Sequence, residues 1–387
     1  MLYFDHCAST PPYDEVIQTL AEVMKAHYAN PSSIHGAGLQ ADKLVERSRT
    51  VLAGATGTKP EEWLFTSGGT ESNNLAVKGA AKFYRSRGNH IITTAIEHAS
   101  VYDAYKQLEA EGFRVTYLPV NVTGHVDPGE LQKQLSDDTI LVSVMHVNNE
   151  TGSVQPIAEI GRLLKDRPKT LFHVDAVQSI GKLPVDIKGW GIDLLTGSAH
   201  KLRGPKGVGF LYVREGLRLQ PLQSGGSQEH ALRAGTQNVP AIVAAAKAFR
   251  MTMSSAEERA EAMYALRSQL IKAIESIPEL KLNGSADAMA AGAPMAPHIV
   301  NVSYPGMKPE VMVHMLEEAG IIASTKSACS SKDDKPSRVL LAMGLERAQA
   351  SGGIRISFGD EHTPQDIKKL EDGLRAVVRR LKPLERG

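Results

Sequence analysis

The chain has 387 residues, 42% hydrophobic and 22% charged, the profile of a globular protein with two or three domains at ~150 residues each. Lys plus Arg number 44 against 43 Asp plus Glu, a formal charge of +1, so no global field exists to hold nucleic acid or an anionic membrane. No run reaches the roughly 20 apolar residues of a spanning helix, the N-terminus lacks a basic start followed by an apolar stretch, and Cys7 and Cys329 cannot make a disulfide framework; a reducing, cytoplasmic location is the resulting expectation.

Apolar residues at three- and four-residue spacing predict helices over Asp14–His27 and Leu39–Gly54. From there to Val213, short β-branched or apolar runs alternate with helical stretches, the pattern of an α/β unit with a parallel sheet. The expected strands are Trp63–Ser67, His90–Ala95, Arg114–Pro119, Ile140–Val147, Leu171–Asp175, Asp193–Gly197 and Gly207–Val213. Helices Glu71–Tyr84, Val101–Glu111 and Ile157–Asp166 fall between them. A long Ala-, Glu- and Met-rich run, Pro240–Ile277, interrupted by the polar Ser254–Ser255, reads as a helical connector. Beyond it an Ala/Gly/Pro-rich surface loop (Ala286–Pro297), a strand (Ile299–Ser303), a helix (Pro309–Ala319), a further strand pair and a final helix (Pro364–Leu381) predict a smaller α+β domain.

Three clusters carry chemistry. The segment Leu64–Asn74 runs from a strand through Gly68 and Gly69 into a helix, where free N–H groups and the Thr70 hydroxyl can hold a phosphate; the plain alternative is a tight turn capped by Thr70. In Ser198-Ala199-His200-Lys201, an amine directly after a strand can meet a carbonyl cofactor while Ser198 and His200 bind its phosphate, although Lys201 alone would read as a solvated loop lysine. In His173-Val174-Asp175-Ala176-Val177-Gln178, Asp175 closes an apolar strand where α/β proteins bind ligands, and a pyridinium nitrogen is a natural partner for its carboxylate. Together they supply the phosphate anchor, ring-nitrogen partner and Schiff-base amine that pyridoxal phosphate requires.

With these residues the sequence resembles the cysteine desulfurases, the NifS/IscS-like branch of the class V aminotransferase family. Further marks are Tyr3-Phe4-Asp5-His6, Asn30-Pro31-Ser32-Ser33, Glu97-His98, His146–Gly152, Gly225–Glu229, Arg233–Thr236, Ser327-Ala328-Cys329-Ser330-Ser331 and Ile354-Arg355-Ile356-Ser357. The resemblance spans nearly the whole chain. It implies the aspartate aminotransferase-like PLP-dependent transferase fold (fold type I). A large domain over residues 12–250 would be built on a mainly parallel seven-stranded sheet, and residues 1–11 and 251–387 would form a small domain carrying the cysteine loop.

It further implies that Lys201 tethers the cofactor and moves the Cα proton, that Asp175 keeps the pyridine nitrogen protonated, and that His98 stacks on the ring and transfers protons. Gly69, Thr70, Ser198 and His200 would bind the phosphate, with Thr236 reaching in from a second subunit of a homodimer. Gln178 and Asn149 would contact the phenolic oxygen or the substrate, and Arg355 would clamp the substrate carboxylate. Cys329, in a polar stretch with Lys326 and Lys332 beside it, would attack the sulfur of L-cysteine, release L-alanine and carry a persulfide to an acceptor protein or reductant, as in iron–sulfur cluster assembly. Cys7 and Arg203 depart from the family's pattern; Cys7 reads as a small packed residue without a chemical role, and Arg203 puts local substrate contacts in question. The alternatives are a selenocysteine lyase, another class V PLP enzyme that dispenses with Cys329, or a non-catalytic sulfur-trafficking protein. A metal module using His98, His146, His173 and His200 lacks the spacing of known sites, so no metal is expected.

Overall fold

The structure, a computed structural model, describes residues 1–325 and 335–383. Its centre is a seven-stranded sheet in the order Trp63–Thr66, Gly209–Val213, Leu194–Ser198, Leu171–Asp175, Thr139–Met145, His90–Thr94, Arg114–Leu118. Every adjacent pair is parallel except the two made by Gly209–Val213. The central strands are buried along their whole length, as sheets covered on both faces require, which is why their sequences are continuous apolar runs. All seven predicted strands are present, with ends shifted by one or two residues where the hydrogen-bond ladder and the apolar run part company.

Helices Gly69–Phe83 and Ala99–Ala110 pack together beneath Leu75, Val77, Tyr105 and Leu108 on one side of the sheet. The other side buries Leu52, Phe172, Val174, Leu195 and Phe249. The predicted connector is two helices, Val239–Ser254 and Ala256–Glu275, broken at Ser255, whose φ of −134° and ψ of 30° leave helical space. Helices Pro128–Gln134, Arg338–Ala342 and Arg347–Ser351 are too short to announce themselves by periodicity.

A second core gathers Phe4, Leu270, Ile274, Val302, Leu316, Ile356, Leu370 and Leu374 around an antiparallel sheet of Gly353–Ser357, Ile299–Ser303 and Lys281–Asn283. The chain start joins it: Leu2–Tyr3 pairs with Ile321–Ile322, and Asp5 bridges to Ser357. Residues 5–10 then run past the Lys201 turn, where Thr10 donates through its N–H and hydroxyl to the His200 carbonyl at 2.9 and 2.7 Å. No helix among the described residues is long and apolar enough to cross a membrane.

Candidate functional site

Strands Trp63–Thr66, His90–Thr94, Thr139–Met145, Leu171–Asp175 and Leu194–Ser198 run in one direction, so their carboxyl ends open on one edge of the sheet. That edge is where open α/β sheets bind ligands. There a cavity of about 190 Å³ is lined by Cys7, Ala8, Gly69, Thr70, Asn73, His98, Ser100, Met145, Asn149, Asp175, Val177, Gln178, Ser198, His200, Lys201 and Arg355. Residues scattered over 349 positions of sequence thus share one wall, Cys7 to Arg355.

Lys201 ends the turn Ala199–Lys201 that follows Ser198. Its Nζ donates to the carbonyls of Cys7 and Ala8, the latter at 2.6 Å. Burial lowers its pKa from the ordinary 10.5 to about 8, with the Arg355 and Lys182 cations adding to the effect and the Cys7 and Asp5 side chains opposing it. At that value roughly a tenth of the amine is neutral and nucleophilic at pH 7 and about half at pH 8. The contribution of position 7 is therefore its main chain: the Cys7 carbonyl accepts from Lys201 and, at 3.2 Å, from Gln178, while its thiol is packed with Val147, Ala296 and Ile299.

Asp175 is held by a residue to which the sequence assigned no role. Asn73 Nδ2 donates to Asp175 Oδ2 and to Ser100 Oγ, both at 2.8 Å, and Ser100 Oγ lies 2.8 Å from His98 Nδ1. A buried chain, Asp175–Asn73–Ser100–His98, so couples two of the predicted residues. His98 caps helix Ala99–Ala110 by accepting the Ser100 amide at Nδ1, which places the proton of the neutral ring on Nε2. Burial lowers the His98 pKa, against the pull of Asp175. Its neighbour Glu97 is wholly buried and burial raises its carboxyl to about 8; Thr94 Oγ1 and the Met145 amide both donate to its Oε1, at 2.7 and 2.9 Å.

The helix after the glycines begins at Gly69, earlier than predicted, so Thr70 is an early helical residue and not the cap; Gly68 caps without a side chain, leaving the first N–H groups and the Thr70 hydroxyl for another partner. A Cβ on Gly69 would stand 3.0 Å from Val177 Cγ2 and 3.6 Å from Ser198 Cβ, so only glycine allows this approach without displacement. Among the described residues Ser198 Oγ, Asn73 Oδ1 and Gln178 Oε1 are buried without a hydrogen-bond partner, an arrangement native structures keep for a ligand or water. His200 lines the same end, its pKa lowered to about 4 by burial and by the Lys201 and Lys206 cations.

Arg355 is fully buried, with Nη2 on Asp5 Oδ1 at 2.8 Å and Nη1 on the Asn149 carbonyl at 3.0 Å; Nε has no partner among the described residues. Arg203 turns away from the cavity, paired with Asp360 and Glu361 and stacked on Tyr13. Thr236 is exposed and outside the cavity. Cys329 lies outside the described residues. On either side of it, Ser324 bridges Arg355, Ser337 Oγ donates to Glu150 Oε2 at 2.6 Å, and Arg338 donates to the carbonyls of Ala95 and Glu97. Asn73, Ser100, Glu97 and Asp5 were not assigned functions from sequence; Asn73, Glu97 and Asp5 sat inside quoted motifs and Ser100 did not, and a contact such as Asn73 to Asp175 has no sequence signal at a separation of 102 residues.

The profile of the family described as "Aminotransferase class-V" matches residues 2–370. A curated relative, "Cysteine desulfurase IscS" of Methanosarcina thermophila, is 42% identical, the match covering 98% of this chain and 93% of the relative. Among solved structures, a "NifS-like protein" superposes with a TM-score of 0.90 at 37% identity, covering 98% of this chain and 99% of its own. Another, "SspA in complex with cysteine", gives a TM-score of 0.80 at 34% identity over 94% of this chain and the whole of the other. Matched along nearly its entire length, the chain belongs to the class V aminotransferase family, with a fold type I architecture and relatives named as cysteine desulfurases.

Proposed function

We propose that the protein is a pyridoxal phosphate-dependent cysteine desulfurase that converts L-cysteine to L-alanine and passes the sulfur on as a persulfide of Cys329. The observation that carries the reading is the meeting of Lys201, Asp175, His98 and Arg355 around one cavity, in a chain whose relatives bear that name. The cavity also fits the cofactor. Unspent donors at Gly69 and Thr70 and the orphan Ser198 hydroxyl suit a phosphate, a buried carboxylate suits a ring nitrogen, and a lysine whose pKa burial has lowered suits an aldehyde.

Pyridoxal phosphate, when bound, supplies an electron sink that makes the bonds at the substrate's Cα labile. The rest is done by the chain. Gly69, Thr70, Ser198 and His200 hold the phosphate. Asp175, fixed by Asn73, holds a proton on the ring nitrogen, and Gln178 and Asn149 donate to the cofactor's oxygen or the substrate. Lys201 would hold the cofactor's aldehyde and move the substrate's Cα proton, its carbonyl partners at Cys7 and Ala8 keeping Nζ beside the site. His98, with Nδ1 spent on Ser100, exchanges a proton through Nε2. Arg355 binds the substrate carboxylate through Nε and its remaining N–H groups, while Asp5 and the Asn149 carbonyl keep the guanidinium from rotating. Cys329 takes the substrate sulfur. A homodimer follows if Thr236, exposed here, serves a second copy's cavity.

The test is to incubate the purified protein with L-cysteine and measure alanine, sulfide and, by mass spectrometry, the site of any persulfide. The proposal expects alanine equimolar with transferred sulfur, a persulfide on Cys329, and loss of cysteine turnover in Cys329→Ala. Full turnover in that variant points to another class V reaction and sinks the assignment. Selenocysteine turnover that survives the substitution, with cysteine turnover low in both proteins, would make it a selenocysteine lyase.

A further inference from the structure

Two histidines and a carboxylate from opposite ends of the chain meet behind the Lys201 turn. One ligand atom each of His6, Glu361 and His362 lies within 4.8 Å of the others, the only such group of three found among the described residues. His6 is buried, and its Nε2 stands 2.8 Å from Glu361 Oε1. The two face each other at ion-pair distance, and no other polar atom among the described residues occupies that ring nitrogen. Glu361 Oε2 is occupied separately by the Arg203 guanidinium. His362 Nδ1 lies 3.3 Å from the Gly359 carbonyl, to which it can donate while Nε2 stays free as a ligand atom, and its ring lies edge-on to His6 with centroids 5.4 Å apart. Gly359 itself must lack a side chain here, since a Cβ would fall 2.6 Å from His6 Cε1 and 2.5 Å from Glu361 Oε2.

Two imidazoles and one carboxylate oxygen are the donor set of zinc, cobalt and nickel. Donors at ~2.1 Å from one ion and at right angles to each other stand ~3.0 Å apart. The 2.8 Å between His6 Nε2 and Glu361 Oε1 therefore already matches one edge of a five- or six-coordinate site. A ligating carboxylate whose second oxygen is fixed by a cation, and an imidazole whose other ring nitrogen faces a backbone carbonyl, are the outer supports such sites use.

We propose that His6, Glu361 and His362 form a site for a divalent first-row transition metal of the zinc, cobalt and nickel group, its remaining positions open to water. The site is separate from the cavity and does not rest on the desulfurase reading. Glu361 is partly exposed and provides the route in, while His6 adjoins Cys7, whose carbonyl holds the Lys201 amine. An ion there would clamp the N-terminal segment to the 359–362 turn directly behind the lysine.

The test uses the full-length chain with Cys329→Ser, which removes a competing thiol. Equilibrium dialysis should find one Zn²⁺ bound per chain, with affinity falling about tenfold or more in Glu361→Gln and independently in His362→Ala. Zn²⁺ should raise the melting temperature of the parent protein and not of either variant. Co²⁺ should give weak visible bands without thiolate charge transfer. Glu361→Gln keeps the shape of a partly exposed residue, so it remains informative if His362→Ala does not fold. Absence of stoichiometric Zn²⁺, affinity unchanged in Glu361→Gln, or a thiolate band assigning the metal to Cys7 would each overturn the proposal.

Discussion

Asn73→Ala isolates the support of Asp175 from Asp175 itself. The substitution removes a 2.8 Å hydrogen bond to a buried carboxylate oxygen and the link from that carboxylate to Ser100 and His98. Hydrogen bonds to charged groups are worth about 1.5–3 kcal/mol, and 1.4 kcal/mol is a factor of ten. The Asp175 carboxylate, no longer fixed by that amide, should then hold a protonated ring nitrogen less tightly by about that amount. The expected result is a fall of about ten- to hundredfold in kcat/KM for alanine formation, with KM for L-cysteine little changed because Asn73 lies on the Asp175 side of the site. Asn73→Asp should be worse, since it places a second carboxylate 2.8 Å from the first. Steady-state kinetics and the pH titration of the cofactor's visible absorption check both. Activity within twofold of the parent, with an unchanged titration, would show that the Asn73 contact does not support the ring-nitrogen partner.

The lowered Lys201 pKa of about 8 means that roughly half the amine is neutral at pH 8, against ~0.3% for an ordinary lysine. Recombination of the apoprotein with pyridoxal phosphate should accelerate with pH to a midpoint near 8; a midpoint above 10 refutes the burial argument. Because the folded lysine binds its proton less tightly than the unfolded one, apoprotein stability should rise between about pH 8 and 10.5, and denaturant titrations across that window measure it. Gly69→Ala should weaken cofactor binding by about tenfold, as its Cβ would press on Val177 and Ser198; an unchanged dissociation constant would show the turn can yield. Arg49 pairs with buried Glu229 through two 2.8 Å contacts that anchor residues 229–231, all at positive φ. Arg49→Met should cost about 3–5 kcal/mol in chemical denaturation by stranding that carboxylate, and a loss below 1 kcal/mol would contradict the account.

The sheet was legible because strands buried on both faces are continuous apolar runs, and the site because strand ends in an α/β unit carry the polar residues that ligands meet. Lys201, Asp175, His98, Asn149, Gln178 and Ser198 all line the cavity. What the sequence hid was contact across long separations: Asn73 on Asp175, the Cys7 carbonyl on Lys201, Asp5 on Arg355. None has a periodicity, because each depends on how separate strand ends are brought together. Arg203, read as a departure near the substrate, faces Asp360 and Glu361, a direction fixed by its left-handed backbone at φ 56° and invisible in sequence. The break at Ser255 was foreshadowed by polar residues, but they could not tell a kink from two helices.

The central claim is that the Lys201 amine carries the cofactor, and borohydride reduction followed by peptide mass spectrometry tests it most directly. The account predicts a stable pyridoxyl adduct on the peptide containing Lys201 and none in Lys201→Ala. An adduct on another lysine, Lys182 or Lys206 included, or none in a protein with full activity, would contradict it.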